Sequence, residues 1–153
     1  MVDHLVDTNV LIVASAAAPP GFEDVPVGAD EVKLVFDWLT TFRDDPSRRL
    51  VLDELFRIFD EYRNKLDFQH YGLQVVHAKL ERCLRTVPVE YDADGHGVVP
   101  AGLRAIDDSD KKFVAAALRD PASISIVNAT DSDWSEHREA LRAHGVAVEE
   151  LLG

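Results

Sequence analysis

Asp7 stands between two apolar runs, after Leu5-Val6 and before Thr8, Asn9 and Val10-Leu11-Ile12. A carboxylate so placed is costly near a core unless a cation, a hydrogen-bond donor or solvent compensates it. Further along, Asp107, Asp108 and Asp110 precede an alanine-rich stretch, and Asp131 and Asp133 follow the apolar Ile124 to Val127. Asp53, Glu54, Asp60 and Glu61 add acids from the middle of the chain. Carboxylates drawn from remote segments can share a proton for acid/base work, hold calcium, or hold Mg²⁺ or Mn²⁺ for phosphoryl chemistry. A helix-loop-helix calcium site packs its ligands into one short segment around a glycine, and no segment has that pattern. Zinc is disfavoured by a single cysteine and by histidines without metal-ligand spacing. Hard oxygen ligands from separate segments suit Mg²⁺ or Mn²⁺ best. Ser109 lacks nucleophile-elbow glycines, and no glycine-rich phosphate loop occurs.

Only a fold that gathers remote segments can make one site of these acids. His4 to Val6 reads as a first strand, and Val10 to Ala18 as a helix stopped by Pro19-Pro20-Gly21. Apolar residues at helical spacing predict a second helix over Glu31 to Phe42. A strand follows at Arg49 to Leu52, then a helix with the stripe Leu55, Ile58, Phe59, Tyr62 and Leu66, then a helix over Gly72 to Leu84. Thr86 to Tyr91 alternates like a strand, and Asp92 to Pro100 is irregular. The last third predicts a helix over Asp110 to Leu118 capped by Asp108 or Ser109, a buried strand Ile124 to Val127, a helix Ser132 to His144 and a final strand Val146 to Val148. Such alternation implies a three-layer α/β/α sandwich with a central, mostly parallel sheet. In that architecture functional groups gather beyond the carboxyl ends of the strands, where Asp7, Asp53, Asp131 and Asp133 fall.

Composition bounds the rest. A length of 153 residues, 46 % of them hydrophobic, fits a single domain over residues 1–153 with a core that needs no disulfide. Cys83 reads as a small buried filler in a reducing compartment. No basic segment precedes an apolar run at the start, and no apolar stretch could span a bilayer, so a soluble cytoplasmic protein without a membrane partner is expected. The net charge of -12 repels bare polyphosphate, so a nucleic-acid partner requires metal ions or a clustered basic face. Arg48, Arg49, Arg57, Arg63, Lys65, Lys79, Arg82 and Arg85 could line such a path or form a salt-bridging surface.

Three segments resemble one family. Leu5-Val6-Asp7-Thr8-Asn9-Val10-Leu11 resembles the opening motif of PIN domains, small metal-dependent ribonucleases found in toxin-antitoxin pairs and RNA-processing factors. Asp110-Lys111-Lys112-Phe113-Val114-Ala115-Ala116-Ala117 is similar to the family's acid-then-alanine helix, and Asn128-Ala129-Thr130-Asp131-Ser132-Asp133-Trp134 to its threonine-acid-acid-aromatic signature. The motifs occur in the family's order across nearly the whole chain. For the family's middle-helix acid, Asp53, Glu54, Asp60 and Glu61 compete; Asp60 points away from the apolar stripe, and the Glu61-Tyr62 pair matches the family's local pattern. The resemblance therefore implies Asp7, Glu61, Asp110 and Asp131 as catalytic acids, with Asp133 as a further ligand, around Mg²⁺ or Mn²⁺. Thr8, Asn9, Thr130 and Asp53 would orient ligands or water, and RNA cleavage would leave 5′-phosphate and 3′-hydroxyl ends. RNA is the substrate implied, and an antitoxin-like protein partner and a homodimer are compatible with it. The long segment between the first and last motifs and the Asp92 to Pro100 loop depart from the smallest toxins.

Purely structural explanations compete at each position. Asp7 could cap the first helix, Asp110 could complement a helix dipole, Asp131 or Asp133 could form an Asx turn or cap, and Glu61 could be solvated surface. Two other functions remain open: a non-catalytic domain of the same fold binding RNA or protein, and a phosphotransfer or regulatory domain with a phosphate-accepting aspartate. The latter needs a lysine at a later strand end, whereas Lys111 and Lys112 lie in a helix start.

Overall fold

The structure, a computed structural model, describes residues 2–153. Strand β1 (Val2–Val6) lies in the middle of the sheet and is buried after its first residue, which is what a central strand between two helical layers requires. The chain continues through α1 (Thr8–Ser15), α2 (Ala29–Asp44), β2 (Arg48–Asp53), α3 (Arg57–Lys65), α4 (Tyr71–Arg82) and β3 (Leu84–Val87). After two short 3₁₀ turns, Ala101–Leu103 and Asp108–Asp110, come α5 (Lys111–Ala117), β4 (Ile124–Asn128), α6 (Asp133–Glu136), α7 (Arg138–Ala143) and β5 (Ala147–Glu150). All neighbouring strands pair in parallel, in the order β3-β2-β1-β4-β5.

That order sets the site. From β1 the chain builds outward through β2 to β3, then returns to place β4 on the other side of β1. The direction of winding reverses between β1 and β4, and in an open α/β sheet that reversal opens a crevice beyond the strands' carboxyl ends. Leu5 is paired with Ile126 and Val6 with Val127, so Asp7, the first residue past β1, comes beside Asn128, the last of β4.

Helices α1, α2 and α4 pack on one another, while α5 packs on β2 and β4, giving the three-layer α/β/α arrangement. The α2 stripe Val32, Val35, Leu39 and Phe42 is buried as its spacing predicts. Gly72 lets α4 approach α1 closely, because a Cβ there would lie 2.5 Å from the Leu11 carbonyl oxygen. Among the described residues no helix is long and apolar enough to cross a membrane.

Four local expectations change. The strand expected over Thr86 to Tyr91 is Leu84–Val87, because Pro88 has no N–H to continue the ladder. The helix expected over Ser132 to His144 is broken at His137, a residue that carries neither of the usual breaker signals, proline or glycine. Leu55, expected in the α3 stripe, is 62 % exposed, since Phe56 adopts a left-handed φ of 59° and the helix starts only after it. Half of the eight basic residues that could line a nucleic-acid path are engaged elsewhere. Arg49 and Arg85 bind Asp3, the buried Lys79 donates to the Asp45 and Arg48 carbonyls, and Arg48 lies over the Trp38 ring and donates to His4 Nε2.

Candidate functional site

Asp7 is the residue between β1 and α1, with extended backbone and its N–H on the Val127 carbonyl. Its carboxylate makes no helix-capping bond, so the capping explanation does not hold. Instead Oδ2 accepts from the Trp134 indole Nε1 at 2.6 Å, a buried bond spanning the two sides of the crevice. Asp110 ends the 3₁₀ turn before α5 and likewise makes no side-chain cap. The cap comes from Asp107, whose carboxylate accepts from Ser109 N. The role falls to neither Asp108 nor Ser109, the caps expected from the sequence.

The fold brings the three principal acids together. One carboxylate oxygen each from Asp7, Asp110 and Asp131 lie within 4.8 Å of one another. Asp7 and Asp110 are buried and Asp131 half-buried, so little water screens them. Burial pushes the Asp7 carboxyl up to about 7; the indole bond opposes this, and Asp131 and Glu61 reinforce it. Burial also drives Asp110 up to about 8, with Asp7, Asp131, Asp107 and Asp133 adding repulsion. Asp131 is raised by the same two causes, burial first. Asp133 joins Asp110 and Asp107 in a second, overlapping group of the same span.

Asparagine amides set the loop that carries Asp131. Asn9 Oδ1 accepts from the N–H groups of Ala129 and Thr130, and its Nδ2 donates to Asn128 Oδ1. Asn128 in turn accepts from Asp131 N and donates to the Asp131 carbonyl and to Glu150. Every polar atom of both amides is thereby used, which fixes the loop across the β1–β4 boundary. Asn9 thus holds the backbone of this loop rather than a carboxylate, and Thr130 takes part through its backbone N–H. Asp131 Oδ1 also accepts from Asp133 N in an Asx turn, leaving its other oxygen for the crevice.

Glu61 borders this group without belonging to it. Its carboxylate accepts from the Thr8 hydroxyl on one oxygen and from Lys112 Nζ, at 2.7 Å, on the other. Lys112 donates also to the Ser109 carbonyl, so it links α3 to the turn that presents Asp110. Tyr62 anchors the helix: its side chain is buried and its hydroxyl donates to the Val6 carbonyl, directly before Asp7. Thr8 therefore positions Glu61. Asp53 lies outside the cluster, contrary to the role given it as helper. Its two oxygens accept from Arg57 N and Ile58 N, capping α3, and Tyr91 donates a third bond. Glu54 and Asp60 are exposed.

The irregular segment also serves the site. Gly97 packs on the start of α5, where a Cβ would stand 2.8 Å from the Lys111 carbonyl oxygen. A separate acidic group in its exposed turn, Asp92, Asp94 and His96, is organised by Asp92 accepting from the Asp94 and His96 N–H groups.

Trp134, Asn128 and Lys112 are the partners that sequence reasoning missed. The first two stand in the third motif, and the indole and amide types were the available signal. No family model, characterised protein or solved structure matches the chain, so the case for this site rests on its geometry.

Proposed function

We propose that the protein is a divalent-metal-dependent ribonuclease of the PIN type that hydrolyses internal phosphodiester bonds. The observation that carries this reading is the convergence of Asp7, Asp110 and Asp131 at the sheet's switch point, oxygens within 4.8 Å of one another and shielded from water. Three such carboxylates repel one another, and a hard divalent cation removes that repulsion while accepting their oxygens as ligands. The residues therefore fit Mg²⁺ or Mn²⁺, with Asp7, Asp110 and Asp131 holding the ion. Asp133 stands beside Asp110 as a further ligand. When bound, the ion supplies a Lewis acid that makes hydroxide available near neutral pH and offsets charge on the phosphodiester oxygens.

The chain's own residues supply position. Trp134 fixes the Asp7 carboxylate by one oxygen, leaving the other for the crevice. Asn9 and Asn128 hold the Asp131 loop in register with β1. Glu61, neutralised by Lys112 and bonded to Thr8, lines the rim rather than the centre. A phosphate-accepting regulatory site is less well supported, because Lys111 pairs with Asp108 and Lys112 with Glu61.

The test is Mn²⁺-dependent cleavage of end-labelled RNA by the wild type, Asp7→Asn and Asp110→Asn. Each substitution is expected to lower the rate at least about a hundredfold, because each removes a charged ligand from the centre of the site. Equal cleavage by all three proteins, or metal binding with no cleavage, rejects the nuclease reading, and the second outcome favours a non-catalytic binder.

A further inference from the structure

A cavity of about 500 Å³ lies between α7 and the edge strand β5. Small-molecule pockets measure roughly 300–1,000 Å³. Trp134, Leu141, Val146 and Val148 give it an apolar lining, and Arg138 and Arg142 give it charge. The two arginines stand four apart on α7, hence on one face of the helix. Both are exposed and neither has an ion-pair or hydrogen-bond partner among the described residues, whose ion pairs use Arg43, Arg49, Arg85, Lys33, Lys111 and Lys112 instead. A second cavity of similar size, about 510 Å³, shows the contrast. There Arg43 is paired with Asp44 and Lys79 is spent on carbonyls, so among the described residues of that lining Arg82 alone is left without a partner and no pair of free guanidiniums forms. In the first cavity the acid of the lining, Glu150, is turned to Asn128 Nδ2 at 2.7 Å, and the two guanidiniums remain unopposed in a chain of net charge -12.

Two neighbouring guanidiniums match a phosphate, whose oxygens accept their forked donors; a monocarboxylate leaves one of them unpaired. Trp134, Leu141 and Val146 are already covered by the protein, but inorganic phosphate alone leaves Gly145, Ala147 and the half-buried Val148 of the lining open, and a flat ring covers them. We propose that this cavity binds a nucleoside phosphate, the phosphate held by Arg138 and Arg142 and the base lying against Gly145, Ala147 and Val148, beside Trp134. The same indole donates to Asp7, so the ligand and the acid cluster share one side chain. The site does not rest on the nuclease reading.

Calorimetric titration of the full chain with AMP at low salt, without divalent ions, tests it and leaves the nuclease reading to fail or stand separately. AMP is expected to bind saturably and to move the Trp134 indole N–H resonance. In the Arg138→Ala/Arg142→Ala double variant, with an unchanged thermal melt, binding should weaken at least tenfold. A 5′-phosphorylated trinucleotide separates the sources of such a group: binding as tight as AMP identifies the end of a strand, and weaker binding identifies a free nucleotide. Equal affinity for AMP, adenosine and inorganic phosphate overturns the proposal. So does an unchanged AMP affinity in the double variant, or no binding at millimolar AMP.

Discussion

Asp3 and Asp7 are buried carboxylates four residues apart at β1, exposed to 0 % and 5 %. Asp3 meets two cations: Arg49 grips it through two nitrogens, at 2.6 and 2.9 Å, and Arg85 adds a third bond at 2.6 Å while also reaching Asp120. Burial alone would raise its pKa, but the two guanidiniums outweigh it and hold the carboxyl below the usual range. Asp7 meets one indole N–H and the other acids, and is pushed up to about 7. One end of the strand thus satisfies its buried charge internally, and the other leaves a charge deficit at the crevice. The same residue type at the two ends of one strand is a structural tie in one place and an acid held against other acids in the other, and the partners decide which.

Asp3→Asn breaks the structural half of this contrast and carries the largest expected effect. It leaves the half-buried Arg49 without its counter-ion and Arg85 with Asp120 alone, at a cost of roughly 3 kcal/mol in urea unfolding. Asp7→Asn at pH 8 should cost less than about 1 kcal/mol, or even stabilise, because it removes repulsion rather than a partner. Equal losses for the two variants would erase the distinction.

The pH dependence sharpens the chemical half. The folded protein holds protons on Asp7 and Asp110 up to about 7 and 8, where the unfolded chain has long released them. These two groups stabilise the fold at low pH, and their contribution is lost as pH rises through those values. Buried His4 acts oppositely: burial, with Arg48 adding repulsion, lowers it to about 4, so it costs stability only as pH falls below 6.5. Between pH 6.5 and 8.5 the two acids outweigh what remains of the opposing His4 effect, and the metal-free protein should lose about 2 kcal/mol in denaturant unfolding. Saturating Mn²⁺ should reverse that loss and release protons on binding. A flat stability profile over this window, with or without Mn²⁺, contradicts the assignment.

Much of this was legible along the chain because the information is local. The run Leu5-Val6 ending in Asp7, and Ile124 to Val127 ending before Asp131, declare strand ends, and the alternation of elements declares the parallel sheet that places those ends together. What was illegible depends on distant pairing. Trp134 reaches Asp7 across 127 positions and Lys112 reaches Glu61 across 51, and neither residue's neighbours announce it. Asp53 misled because a strand-end acid has the same local appearance whether it faces a crevice or caps the next helix; only the bonds to Arg57 N and Ile58 N distinguish them. The break at His137 had no proline or glycine to mark it.

Trp134→Phe gives the smallest effect and the finest probe of the comparison. Phenylalanine keeps most of the buried ring but cannot donate to Asp7 Oδ2, so the one group that lowers the Asp7 pKa, other than its own backbone surroundings, is lost. Hydrogen bonds to charged groups contribute about 1.5–3 kcal/mol, and the loss falls on the ionised carboxylate. Its pKa therefore rises further, protons compete more strongly with the metal, and Mn²⁺ affinity at pH 7 should fall about tenfold or somewhat more. At pH 9 the deficit should shrink to a few-fold, because Asp7 is then ionised in both proteins. A deficit that persists unchanged at pH 9 would mean that the indole positions Asp7 geometrically rather than tuning its charge, and the contrast with Asp3 would then be one of placement instead of electrostatics.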